Sequence, residues 1–292
     1  MARSNAPKSK TNLLIGGIVG IVAVLVVMAV LISKLSAPTV GGSTTFPNPA
    51  LNSTSLTFIP DLGSTNISTK LSVLQQNLKA GDNVFIGGTD PTAINNLKSS
   101  FKQGVNVYAT QGYRKPSDFI ATVPTLPKGY DMFYLDYEQG DNYSGSEFTS
   151  NQTQVFSIFD ECRNAVNQYN IKTGSSAKFF ATPNYMQIKS KNPNFDWSLL
   201  PLHEDLVWIQ FQQYEHHQGI GNVAGQVVEQ IKATNNSIYV IVQISVYSKY
   251  NYTVQDAVEA MNELKDYPVN SFELFVGPDV ADLQSFLNVI QR

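Results

Sequence analysis

The chain has 292 residues, 42% of them hydrophobic and 15% charged, enough to build a large core without fixing the number of domains. The formal net charge is −3; setting aside Arg3, Lys8, Lys10 and Lys34, which flank the first apolar stretch, leaves 16 of the 20 basic residues against 23 acids, or −7. That balance argues against a nucleic-acid partner, and the single cysteine, Cys162, excludes an intrachain disulfide, so the fold must stand on its core.

Residues 1–12 read as a short cytoplasmic tail. From Leu13 to Ile32 every residue is apolar or Gly, and as a helix this run rises about 30 Å, the depth of a bilayer core. Residues 13–33 are therefore expected to be a single membrane-spanning signal anchor. The rival is a cleaved signal peptide, but its apolar stretch usually runs about 7–15 residues, and Lys34-Leu35-Ser36-Ala37 is a poor cleavage site. Arg3, Lys8 and Lys10 precede the helix, so the positive-inside bias keeps the N-terminus cytoplasmic and the remainder extracellular, at the cell membrane. Gly16 and Gly20 form a G-x-x-x-G that permits a dimer through this helix. Sequons starting at Asn52, Asn66, Asn142, Asn151, Asn235 and Asn251 agree with an exported glycoprotein. Residues 34–55, rich in Ser, Thr, Gly, Pro and Asn, read as a flexible stalk.

The globular domain is expected over 56–292. β-branched and aromatic runs predict strands at Leu56–Pro60, Asn83–Gly87, Val105–Thr110, Met132–Glu138, Lys178–Thr182, Leu206–Gln212, Ile238–Ser245 and Phe272–Val276. Amphipathic stretches predict helices at Thr69–Leu78, Ala93–Phe101, Gln152–Gln168, Val223–Lys232, Val254–Leu264 and Ala281–Ile290. The third and fifth crossovers, interrupted by Pro124, Pro127, Pro193 and Pro201, should be short or irregular. Strands alternating with helix-length segments over this span predict an α/β fold, a (β/α)8 TIM barrel preceded by the single transmembrane helix. A doubly wound sheet is the competitor, but Phe58-Ile-Pro-Asp-Leu-Gly63 lacks its glycine-rich phosphate turn.

In Asp131-Met-Phe-Tyr-Leu-Asp-Tyr-Glu138 the strand period of two puts Tyr134, Asp136 and Glu138 on one face and Phe133, Leu135 and Tyr137 on the other. If the apolar set packs under the helices, the two acids sit at the C-terminal mouth, where paired carboxylates raise each other's proton affinity and suit general acid catalysis. The bland reading is a helix-cap or loop network at a strand end. In the sixth strand Val207, Ile209 and Phe211 alternate with Trp208, Gln210, Gln212 and Tyr214, giving an interior face of amides and aromatics.

These residues resemble glycoside hydrolase family 18, within it the class III chitinases of the hevamine type. The family's D-x-x-D-x-D-x-E is matched by Asp131, Asp136 and Glu138, with Tyr134 replacing the middle Asp. Ala181-Thr-Pro-Asn184 is similar to its fifth-strand ending, and Val207-Trp-Ile-Gln-Phe211 to its sixth strand. The resemblance implies Glu138 as the acid protonating the glycosidic oxygen and Asp136 as the residue orienting a substrate N-acetyl group, whose carbonyl oxygen attacks the anomeric carbon. It also implies a substrate contact at Gln210, an N-acetylglucosamine-type glycan as partner, and no cofactor; Tyr134, Asn184, Gln212 and Tyr214, at or beside the family's positions, are expected to contact substrate as well. Gln212 stands where the family has Tyr, and the last strand lacks the family's Trp. An active hydrolase and a silent glycan- or protein-binding barrel both stay open, with a lysozyme-like hydrolase as a third reading from its D-x-E.

Glu215-His216-His217 lacks a third spaced ligand, so no metal is assigned. Cys162 falls in a predicted helix without a resolving thiol and reads as buried and inert. Tyr247, Tyr250 and Tyr252 read equally well as sugar-stacking residues or as loop cover.

Overall fold

Each predicted β-branched or aromatic run becomes a short parallel strand, and each amphipathic stretch a crossover helix. The computed structural model describes residues 55–140, 142–211, 221–246, 251–276 and 280–290. In chain order they form β1 (Ser55–Phe58), α1 (Ile67–Asn77), β2 (Asn83–Gly87), α2 (Pro91–Lys98), β3 (Asn106–Tyr113), α3 (Pro116–Thr122) and β4 (Met132–Leu135). Then come α4 (Gln152–Thr173), β5 (Lys178–Ala181), α5 (Tyr185–Lys191), α6 (Leu200–His203), β6 (Val207–Gln210), α7 (Gly221–Thr234), β7 (Val240–Val246), α8 (Val254–Glu263), β8 (Ser271–Val276) and α9 (Val280–Val289).

The eight strands lie in the order β5-β4-β3-β2-β1-β8-β7-β6, every ladder parallel. The two end strands meet at a seam without a regular ladder. Phe179 N–H donates to the Asp205 carboxylate at 2.9 Å, Asp205 N–H returns a bond to Phe179 O at 2.9 Å, and Gln210 N–H donates to Pro183 O at 3.1 Å. A single parallel bridge, Asn184 to Gln210, completes the joint and gives a nearly closed (β/α)8 barrel.

Side-chain parity divides the core in two. Outward residues such as Phe58, Val84, Phe133, Leu135, Phe179, Ile209, Val242 and Leu274 are buried against Leu74, Ile94, Phe119, Phe159, Val228 and Phe286 of the helices. Inward residues Phe85, Phe180, Leu206, Trp208 and Ile241 fill the barrel, with Tyr108, Met132 and Tyr134 packed on them. Tyr134 stacks on Phe180 at 5.4 Å and Phe180 on Trp208 at 5.1 Å, so an aromatic layer floors the upper end. Gly112 makes room for it: a Cβ there would lie 2.1 Å from the Tyr134 ring.

Several boundaries differ from the sequence expectation for local reasons. β4 stops at Leu135 rather than Glu138; Asp136 still donates its N–H to Tyr113 O at 2.8 Å, and Tyr137 O still accepts from Asn184 N–H at 3.3 Å. β6 likewise covers Val207–Gln210, shorter than Leu206–Gln212. β1 starts at Ser55, the last residue expected in the stalk, because its hydroxyl bonds Gly81 O at 2.6 Å. α4 continues to Thr173 and ends on Gly174 at φ 63°, a left-handed turn that favours glycine. In the third and fifth crossovers Pro116 and Pro201 sit in the first turns of α3 and α6, where a missing N–H costs nothing, so those prolines start short helices. The expected anchor 13–33, the rest of the stalk 34–55, and Gln212, Tyr214, His216, His217, Tyr247 and Tyr250 lie outside the described residues. Among the described residues no helix is long and apolar enough to cross a membrane.

Candidate active site

Inward parity carries polar groups to the C-terminal end of the barrel above the aromatic layer. There Ile59 and Asp61 beyond β1, Arg114 beyond β3, and Tyr134, Asp136 and Glu138 on and beyond β4 line one cavity of about 520 Å³. Thr182, Gln210, Gln243, Glu273 and Phe275 close it from β5 to β8, with Gln139, Tyr143 and Gln187 at its rim. Its size falls within the range of small-ligand sites, and it sits on the face that carries (β/α)8 active sites. A larger groove of about 680 Å³ runs outside the barrel past Asp160, Arg163 and Asp205, but Arg163 is committed there to Asp205 at 2.8 Å.

Asp136 is the best-anchored acid. Gln210 Nε2 donates to its Oδ1 at 2.9 Å and Thr182 Oγ1 donates to the same atom at 3.2 Å, while Gln210 also donates to Thr182 O at 2.8 Å. Asp136 Oδ2 makes no hydrogen bond among the described residues. Burial pushes the Asp136 carboxyl upward, opposed by the Thr182 bond, the Arg114 charge and the Gln210 bond. Tyr134 beneath it is driven strongly upward by burial and by the charges of Asp136, Asp61 and Glu273, so its hydroxyl stays protonated.

Glu138 is 8% exposed, just past the strand end. Its position is set by the loop that follows. Tyr137 points outward, donates its hydroxyl to Thr149 O at 3.1 Å and accepts from Thr149 N–H at 2.9 Å. Ser144 N–H donates to Glu138 O at 3.1 Å, and Gln139 N–H donates to Gln187 Oε1 at 2.6 Å. Arg114 stacks its guanidinium over Tyr143, 4.8 Å from the ring centre, above the same loop.

The structure thus brings Tyr134, Asp136, Glu138 and Gln210 together. Asn184 is placed differently: it is 1% exposed, does not line the cavity, and uses its side-chain oxygen to cap α5 through Gln187 N–H at 3.2 Å. Its part in the site is indirect, since the helix it caps carries Gln187. Asp131, matched above to the first acid of the family pattern, is also structural. It accepts from Lys98 Nζ at 2.6 Å and from Ala109 N–H at 2.7 Å, away from the cavity. Cys162 is buried in α4, and burial raises its thiol, as an inert thiol would have it. Tyr252 is buried, so it offers no open face to a sugar ring.

Glu273 went unnoticed in the sequence. Burial, together with the negative charge of Asp136, pushes its carboxyl up to about 8, against the opposing effect of Gln243. The signal was there in Ser271-Phe-Glu-Leu-Phe-Val276: Phe272 and Leu274 belong to the outer core, so an acid between them must face inward. The same parity places Phe275 in the cavity wall, an aromatic on the strand that lacks the expected Trp.

No protein-family model matches the chain, and no characterised protein matches it in sequence. Among solved structures, a GH5_18 protein from Streptomyces cattleya, in complex with GlcNAc, superposes with a TM-score of 0.52 at 9% identity, covering 77% of this chain and 71% of that one. A glucosidase from Croceicoccus marinus gives 0.45 at 10% identity over 80% of this chain, which spans only 61% of the glucosidase. A xylanase, Xyn10A from Cellvibrio japonicus, gives 0.44 at 10% identity, over 77% of this chain and 87% of its own. At such identities the likeness concerns the fold: the chain is a (β/α)8 barrel whose structural neighbours include glycoside hydrolases.

Proposed function

We propose that the chain is an extracellular glycoside hydrolase, held at the cell membrane by residues 13–33, that cleaves N-acetylglucosamine-containing polymers or glycans. The observation that carries this reading is Asp136, fixed by two donors on Oδ1 beside Glu138 in a cavity at the barrel mouth. An ionised Asp136 accepts the N–H of a substrate N-acetyl group on Oδ2, which directs the acetyl oxygen at the anomeric carbon. Glu138 gives its proton to the departing glycosidic oxygen and then deprotonates the water that opens the cyclic intermediate. Phe275 supplies an apolar face for the ring. The GlcNAc bound to the Streptomyces cattleya barrel supports an amino sugar as the ligand class.

A second reading, a silent glycan-binding barrel, is favoured by Tyr134, a phenol held protonated where a second acid would share a proton with Asp136. One experiment separates the two. The full chain in detergent is incubated with N-acetylglucosamine oligomers beside Glu138→Gln; product from the first alone, with binding by both, supports the hydrolase. Binding by both with product from neither supports the silent barrel, and binding by neither removes the glycan reading.

A further inference from the structure

Glu273 lies mid-strand on β8, in register with Thr57 on β1 and Gln243 on β7. It is 4% exposed and lines the same cavity as Asp136. Its Oε2 is buried without a hydrogen-bond partner, and so is the Oε1 of Gln243 beside it. Both are acceptors when Glu273 is ionised; a proton on Oε2 makes one of them a donor. The groups sharing this cavity are Asp61 after β1, Arg114 after β3, and Tyr134, Asp136 and Glu138 from β4, while β7 contributes the uncharged Gln243.

Two carboxyls that feel each other's charge in a water-poor site do not ionise together, and the surrounding donors decide which one keeps the charge. Asp136 has Thr182 and Gln210 on one oxygen, with the Arg114 cation helping its ionised form. Glu273 has Gln243 alone in that role.

We infer that Glu273 is a positioning residue that works as a neutral acid: Gln243 holds its carbonyl oxygen, and its O–H is left as the donor that the cavity wall offers to a ligand oxygen beside anionic Asp136. The ligand half rests on the glycan reading above; the proton half does not. Site charge is then confined to β4 and the loops, and β8 presents an uncharged wall to an uncharged sugar. Ionising Glu273 would remove the donor and set a second negative charge against the ligand's lone pairs.

The test uses the full chain in detergent. Infrared spectra near neutral pH should show a protonated-carboxyl band, apart from that of Glu204, that Glu273→Gln removes and Glu138→Gln leaves, and Asp136→Asn should lower the pH at which the band disappears. With triacetylchitotriose as probe, wild-type affinity should fall about tenfold between about pH 6.5 and pH 9, while Glu273→Gln, which keeps an N–H donor, should stay flat, and Glu273→Ala should be weak throughout. No band assignable to Glu273, or a band unmoved by Asp136→Asn, overturns the inference. A band that behaves as described in a chain that binds no sugar upholds the proton assignment and defeats the glycan reading instead.

Discussion

Replacing Glu273 with Gln should stabilise the protein increasingly as pH rises, and the size of the effect follows from its burial. The carboxyl moves from an ordinary value of 4.5 in the unfolded chain to about 8 in the folded one. Below about pH 4.5 both states hold the proton and the group contributes no slope. Between that point and about pH 8 the unfolded chain releases a proton that the folded chain retains, so wild-type stability declines, levelling off once the folded state also ionises. At about 1.4 kcal/mol per pH unit across the span between those two values, the loss is capped at roughly 5 kcal/mol. Gln carries no such proton, so the stability difference between variant and wild type should widen across this window. Urea denaturation of both proteins at several pH values from about 4 to about 8.5 measures it. A difference that stays constant with pH would refute the argument, because it would mean that Glu273 ionises as freely folded as unfolded.

Glu204, 1% exposed with both carboxyl oxygens lacking a hydrogen bond, is driven well upward by burial; Glu204→Gln should raise the melting temperature more at alkaline than at acidic pH, read by thermal scans at both. Gly112→Ala forces a methyl into the Tyr134 ring and should cost about 1–3 kcal/mol with loss of sugar affinity, both measurable on one preparation by denaturation and titration. Tyr137→Phe removes both hydroxyl bonds to Thr149 and should cost about 1–2 kcal/mol. Because that loop positions Glu138, turnover should fall with little change in binding, and an unchanged rate would show that Glu138 is held by other contacts.

The barrel was legible in the sequence because period-two runs such as Met132–Leu135 and Val207–Gln210 have one apolar face for the helices and one mixed face for the interior. The short helices of the third and fifth crossovers were less so, since Pro124, Pro127, Pro193 and Pro201 read as interruptions, whereas Pro201, like Pro116, sits in the first turn of a short helix. Within the site, Asp136, Glu138 and Gln210 were visible through local spacing. Glu273 and Arg114 were not, because their meaning depends on which strands meet around the barrel, a contact between residues far apart in the chain. Asn184 shows the converse: adjacent to the right strand and of the right type, it caps a helix with its side-chain oxygen and does not line the cavity.

The joint between β5 and β6 has a mechanical consequence. A regular ladder spreads load over many backbone bonds, but here the band is fastened by Asp205 near one end and by Gln210 near the other. The side chain of Gln210 also grips Asp136 and Thr182, so the buckle of the barrel and the anchor of its central acid are the same residue. Stress that parts the two strands bears on the bonds that hold Asp136, and a ligand on that carboxylate should in turn steady the joint. Amide exchange at Phe179 and Gln210 would then slow when the cavity is filled, making the seam a gauge of occupancy.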